Sequence, residues 1–236
     1  MIFPIYWAIN TSFKTMAEVN RIPPTFLPKN FTTIAYEAIF HNRMATRSIV
    51  TSIIISISTT FLSVLLGSLA GYAFARWPKQ AGGENLSFWI LSIRMFPPVS
   101  IILPIFFIFN FFGLLDTYAS LIITYLVFNL PLAVWLMMMF FGDVPVELEE
   151  ASYVDGYNPI RTFFKVTLPL VKPGLVSVII LCWIFAWNEF LFANVLVGSR
   201  VKTFPIIIPT FAHGSMDLWN EVMAFTLIVI VPPIVL

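Results

Sequence analysis

Five carboxylates crowd one short stretch: Asp143, Glu147, Glu149, Glu150 and Asp155. Asp143 precedes Val144-Pro145, and proline suits the first turn of a helix, where its missing N–H costs nothing. Glu147, Glu149 and Glu150 then fall in the N-terminal half of that helix, beside the positive end of its dipole. Glu147, Glu150 and Val154 share one face, and Leu148, Ala151 and Tyr153 lie roughly together on the next. An acidic strip beside a small apolar one suits a groove on another protein. The same pattern also suits a solvated acidic helix on a membrane surface.

Other chemistries find little support. His41 and His213 both lie in connecting segments, and there is no His-x-x-x-His or Ser/Lys arrangement. Cys182 is the single cysteine, set in an apolar run as a small buried hydrophobe, so neither an internal disulfide nor a cysteine zinc site can form. A phosphate-cradling loop needs Gly-Lys-Ser/Thr, and no Gly-Lys pair occurs in the chain. ATP-driven work would therefore need a second polypeptide to hold the nucleotide. Net charge is +1 with scattered basic residues, which argues against nucleic acid.

The elements that carry these residues are set by composition. Of 236 residues, 59% are hydrophobic and 11% charged, with a mean hydropathy of +0.90. That is too little polar surface for a soluble globule, which carries roughly 25% charged residues. Five runs approach or exceed the ~20 residues needed to cross a bilayer: Ile49–Ala75, Leu86–Phe112, Tyr118–Phe141, Gly174–Val197 and Leu218–Leu236. They are continuously apolar, so they are helices and not the alternating strands of a barrel. Met1–Phe13 lacks the basic start and small-residue cleavage site of a signal peptide. It reads as the end of a first span that begins outside this chain, which makes six spans in all.

The long connection 142–173 has internal structure. Gly156 suits a left-handed helix cap. Asn158-Pro159 opens a second short helix, with Asn as N-cap and Pro in its first turn. That helix is expected to run to about Leu168 and stop at Pro169. Lys and Arg number seven in the first, third and fifth connections and five in the second and fourth, so the positive-inside rule does not choose an orientation.

Glu150-Ala151-Ser152, then Asp155-Gly156, then Leu168-Pro169, resembles the EAA loop of ABC importer permeases of the binding-protein-dependent type I class. Ser152 stands where that motif has alanine, and Tyr157 replaces the usual small residue after glycine. The resemblance covers nearly the whole chain. Phe3-Pro4-Ile5-Tyr6-Trp7 with Thr11–Lys14, Ala70–Arg76, Phe96-Pro97-Pro98 with Leu103-Pro104, Gly113–Tyr118 and Trp187–Phe190 resemble the maltose-type carbohydrate subgroup. It implies an all-α membrane protein with the six-span permease fold, the first span truncated, and a cytoplasmic EAA coupling helix. Residues 1–13 would end the first span, 14–47 would face outward, and 48–236 would form the transmembrane core.

The implied function is that of a prokaryotic inner-membrane permease subunit, itself not catalytic, in an alternating-access importer for a sugar or polyol. The helix at 145–155 would insert in a separate ATPase through Glu147, Glu150, Ala151, Ser152, Asp155, Gly156, Leu168 and Pro169, with Glu150 the chief polar contact. Partners would be two ATP-binding cassette subunits holding ATP and Mg2+, a second and different permease, an extracytoplasmic substrate-binding protein and the bilayer. No cofactor or metal is expected on this chain. Arg94 and Glu189 are charges at membrane depth, where such groups default to functional hypotheses. Trp183 and Trp187 share a helix face. With Asn129 and Asn188 they make a candidate substrate pathway, or else plain packing and hydrogen bonding between helices. A secondary transporter or channel would instead call for internal repeats and paired intramembrane ionisable residues. No convincing repeat is evident, and the structured acidic loop would have no purpose in such a protein, while a non-carbohydrate cargo for an ABC permease stays open.

Overall fold

The computed structural model describes residues 2–81, 83–212 and 218–235; His213 lies outside these. In the described residues all regular structure is helical. The helices are α1 (Ile2–Ser12), α2 (Met16–Val19), α3 (Ile34–His41), α4 (Arg43–Arg76), α5 (Gly83–Ser92), α6 (Pro98–Phe111) and α7 (Tyr118–Gly142). They continue as α8 (Val146–Val154), α9 (Pro159–Thr162), α10 (Leu168–Leu170), α11 (Lys172–Trp187), α12 (Leu191–Leu196), α13 (Phe204–Ala212) and α14 (Trp219–Val235). Ile93–Met95 forms a 3-10 turn, and Phe163–Thr167 a π-helical segment.

Only α4 and α7 are each long and apolar enough to cross a membrane as one helix, among the described residues. α4 begins six residues before the apolar run because Asn42 caps it: its side-chain oxygen accepts from the amides of Met44 (2.9 Å) and Ala45 (3.2 Å). Its 34 residues extend about 50 Å, well beyond the ~30 Å of hydrocarbon.

Two expected spans are not continuous helices. In the run Leu86–Phe112 the axis turns by 96° between Phe88–Met95 and Pro98–Phe111. Phe96 and Pro97 are both extended there, since a residue before proline is pushed out of the helical region. The run Gly174–Val197 ends as a helix at Trp187 and resumes at Leu191. α11 in turn bends by 81° from the Pro159–Leu170 segment before it. α14 is apolar but shorter, at 17 residues.

The chain divides into two compact units. One holds Met1–Ile54, Leu115–Thr117 and Asn188–Leu236, in which α1, α3 and α13 pack on α14. The other holds Ile55–Leu114 and Tyr118–Trp187, in which α11 packs along α7. Within this second unit α4 and α7 approach closely at Gly67 and Gly71. A Cβ on Gly67 would sit 2.6 Å from the Ala133 Cβ, and one on Gly71 would sit 2.7 Å from the Met138 amide nitrogen. Small residues four apart let membrane helices bring their backbones together. Below that contact Tyr72, Met137, Phe141, Val144, Phe163, Val178 and Cys182 form one buried apolar cluster.

Candidate functional site

The loop 142–173 folds as two short helical pieces around Gly156, close to expectation. α8 is capped at its C-terminus by a paired arrangement. Gly156 takes φ +84°, its amide donates to the Tyr153 carbonyl at 3.0 Å, and the Tyr157 amide donates to the Ser152 carbonyl at 3.0 Å. These two bonds satisfy carbonyls that the helix end leaves free, and glycine enters that conformation without the penalty of a Cβ. Asn158 is the N-cap of α9, accepting from the Arg161 amide at 2.8 Å. Pro145 is the N-cap of α8 and not its first helical residue. The chain also does not stop at Pro169. It widens into the π segment at Phe163, and Pro169 sits in the first turn of α10, where it needs no partner for its nitrogen.

The orientation of α8 separates its acids. Glu147 and Glu150 are exposed, as are Val146, Leu148, Ala151, Tyr153 and Val154. Glu149 and Ser152, three apart, form the inward face and are buried. Ser152 Oγ donates to the Glu149 carbonyl and shares a second hydrogen bond with Thr162 Oγ1, both at 2.7 Å. This explains how a hydroxyl is tolerated where the motif has a methyl. Asp155 is exposed at the C-cap, Leu168 packs against the apolar cluster, and Pro169 is exposed.

Glu149, 2% exposed, lies outside the residues that the motif resemblance assigns to docking and is the best-connected acid of the loop. Its Oε1 accepts from Arg76 Nε and from Thr167 Oγ1, each at 2.9 Å, and its Oε2 accepts from Tyr72 Oη at 2.9 Å. Arg76 Nη2 donates in addition to the Val144 carbonyl at 2.9 Å. The Tyr72 ring packs against those of Phe141 and Phe163, 5.4 and 4.9 Å away by centroid, and these two also touch each other. Tyr72 and Arg76, four apart and so on one face of α4, lie within the Ala70–Arg76 motif. That spacing was the available signal. Their partner, more than 70 residues on, carried none.

The candidate pathway residues fall in both units. In the second, Arg94 sits at the 3-10 break, half-buried. Its guanidinium donates to the Phe128 carbonyl at 3.2 Å and lies over the Phe185 ring, 4.3 Å from its centroid. Trp183 and Trp187 stack with centroids 5.5 Å apart and planes 14° from parallel, and both are buried. Asn129 is buried on α7, and its backbone carbonyl lies 4.0 Å from Cys182 Sγ. Asn129 Oδ1 and Trp183 Nε1 find no hydrogen-bond partner among the described residues. Asn188 and Glu189 belong to the first unit. Glu189 accepts from the amides of Phe192 (2.8 Å) and Ala193 (3.1 Å). A carboxylate bonding the free amides that open α12 is why the run breaks there.

A second overlooked acid is Asp116, in the Gly113–Tyr118 motif. It takes φ +56°, and its carboxylate accepts from the amides of Ser199 (3.1 Å), Arg200 (3.0 Å) and Val201 (3.0 Å). Partial burial pushes its carboxyl up. The amides of Arg200, Val201, Gly198 and Ser199 together outweigh this and hold it below the usual aspartate value.

Comparison with known proteins points one way. Residues 63–236 match the family described as "Binding-protein-dependent transport system inner membrane component". Over 237 residues the chain is 35% identical to the trehalose transport system permease protein SugB of Mycobacterium tuberculosis, covering 99% of this chain and 85% of that protein. It is 32% identical over 247 residues to the trehalose/maltose transport system permease protein MalG of Thermococcus litoralis, covering 100% and 85%. A solved bacterial ABC transporter that imports the acidic polysaccharide alginate matches in fold, with a TM-score of 0.81 at 24% identity, over 99% of this chain and 87% of that one.

Proposed function

The chain belongs to the binding-protein-dependent transport system inner membrane component family, and from that premise we propose that it is the permease of a sugar importer driven by a separate ATPase through α8. The observation that carries this reading is the two-sided build of α8. Glu149 and Ser152 anchor one face, while Glu147 and Glu150 remain exposed beside Val146, Leu148, Tyr153 and Val154. An exposed apolar strip flanked by acids, held rigid from behind, suits insertion into a cleft on another protein. Glu150 supplies the polar contact, and Glu147, Ala151 and Asp155 lie beside it. Gly156 makes the turn that leaves α8 projecting. Ser152, Leu168 and Pro169 act from behind, by fixing where the helix sits.

In this arrangement the loop 142–173 faces the cytoplasm and 14–47 faces outward. Residues 1–13 end the first span, and 48–236 are the transmembrane core. Two ATPase subunits bind ATP and Mg2+, a second and different permease completes the pathway, and a substrate-binding protein delivers the cargo. The names of the relatives support a sugar cargo. Trp183 and Trp187 stack on each other and are both buried, so as part of the pathway they would meet the sugar only when the helices around them part. Arg94 and Asn129 add hydrogen-bonding groups in the same unit, and Asn188 and Glu189 directly follow Trp187 in sequence.

Co-purification of the chain with its ATPase tests the reading. Glu150→Ala is expected to weaken ATPase association at least tenfold, as removal of a central charged contact does. Recovery of the chain in a transport-competent complex without any ATPase would overturn the assignment. Uptake by the reconstituted complex, assayed with disaccharides against amino acids and peptides, tests the cargo. Replacing Trp183 or Trp187 with alanine is expected to reduce uptake while ATPase association stays intact.

A further inference from the structure

The buried face of α8 has a use that a docking surface does not require. We propose that Glu149 is a positioning residue that joins α8 rigidly to the end of α4, so that a displacement of α8 enters the spanning helix directly. The proposal rests on the reading of α8 as the ATPase-docking helix.

The geometry is that of a clamp. Arg76 holds the loop at two points, the Val144 carbonyl before α8 and the Glu149 carboxylate on it, each at 2.9 Å. Tyr72, one helical turn back along α4, holds the other carboxylate oxygen at 2.9 Å. Thr167, at the end of the π segment where the chain returns toward α11, holds the first oxygen from the far side at 2.9 Å. Three chain segments distant in sequence thus meet on one carboxylate. Arg76 and Glu149 side chains are 7% and 3% exposed, so water does not compete for these bonds.

Stability alone is a poor reason for such a cluster. A buried ion pair recovers its desolvation only with good geometry, and well-packed apolar side chains often hold a site as firmly. What charged, directional bonds add is a single register. Tyr72 and Arg76 can meet both carboxylate oxygens in one position of α8 against α4. Apolar packing alone, as between Tyr72, Phe141 and Phe163, tolerates sliding. A π segment in the return strand fits the same purpose, since such widened turns are frequent at functional positions and re-aim the side chains that follow them. Backbone continuity through Asp143–Pro145 delivers motion of α8 to α7; the clamp delivers it to α4 as well.

The test uses the complete transporter in proteoliposomes, with binding protein and sugar. Glu149→Gln keeps the shape and removes the charge, and Tyr72→Phe and Thr167→Val each delete one bond. Three quantities are read: ATPase association, ATP hydrolysis, and sugar transported per ATP hydrolysed. For Glu149→Gln, association is expected to stay within about twofold of the unaltered complex while transport per ATP falls about fivefold, within the range over which mutations between two sites alter coupling. Tyr72→Phe and Thr167→Val are expected to lower transport per ATP by about twofold each on the same basis. If transport and hydrolysis fall together with their ratio unchanged, the cluster only stabilises the fold and the proposal is overturned. Loss of ATPase association equal to that of Glu150→Ala would place Glu149 in the docking surface and overturn it too. Should Glu149→Gln fail to assemble, the ratio in the two single-bond variants decides. Failure of the unaltered chain to bind any ATPase would instead overturn the docking reading, separately from the clamp.

Discussion

Glu149 ties a short helix, and Asp116 a turn, to a distant part of the chain, but with different kinds of partner. Glu149 is buried and gathers three side-chain donors from α4 and the π segment. Asp116 lies in a more open turn and gathers backbone amides of Ser199, Arg200 and Val201. Backbone donors are present whatever the residue type, so the Asp116 turn depends on one side chain and on loop conformation. The Glu149 cluster depends on four side chains at once, and loss of any one leaves the others buried and incompletely paired. A turn held by backbone amides can serve as a fixed fold element. A short helix held by side chains from several segments is fixed in one register against all of them.

The largest expected effect follows from that dependence. Glu149→Ala leaves the Arg76 guanidinium buried without its carboxylate, which should cost about 3–5 kcal/mol, read as a lowered unfolding midpoint in detergent. The paired change Glu149→Leu with Arg76→Met removes both charges and should recover most of that loss. If the pair is no better than Glu149→Ala alone, the cost lies in packing and the contrast with Asp116 weakens.

A smaller effect is expected at Asp116. Asp116→Ala removes an acceptor from several amides, but water can reach this turn, so the cost should be about 1 kcal/mol after screening. Its pH dependence has a definite sign. The folded carboxyl titrates below the usual aspartate value, so its contribution is complete above the unfolded value of about 4 and is lost as pH falls through the lowered folded value. Asp116→Asn should therefore flatten the acid limb of a stability-against-pH curve below about pH 4. An unchanged acid limb would remove Asp116 from the list of groups that hold the fold.

The smallest effect sharpens the comparison within one helix. Glu150 is exposed next to buried Glu149, so Glu150→Ala should change chain stability by less than about 0.5 kcal/mol while weakening ATPase association. Two adjacent glutamates would then separate cleanly by thermal unfolding and co-purification, Glu149→Ala lowering stability and Glu150→Ala lowering association.

Much of the loop is legible in the amino-acid sequence. The short acidic helix, the glycine that ends it and the Asn158-Pro159 start of the next piece follow from local backbone chemistry, and α8 and α9 appear close to where that chemistry puts them. The break at Phe96-Pro97 is legible as well, since two prolines inside an apolar run favour a kink; the break at Glu189 is less so. An apolar count over 20 residues does not see one carboxylate bonding the next turn's amides. Gly67 and Gly71 are four apart in the sequence, but only α7 lying against them shows what that spacing meets.

Sequence by itself determined the class of this protein: apolar helices in a bilayer and a structured polar loop. Those are properties of composition and of residues near one another in the chain. Which acid faces the protein and which faces outward was decided only by tertiary structure. Glu149 and Glu150 are chemically the same and adjacent, and about 100° of helix rotation separates a buried hub from an exposed carboxylate. Their fates differ because Tyr72 and Arg76, more than 70 residues earlier, stand on one side of the helix and not the other.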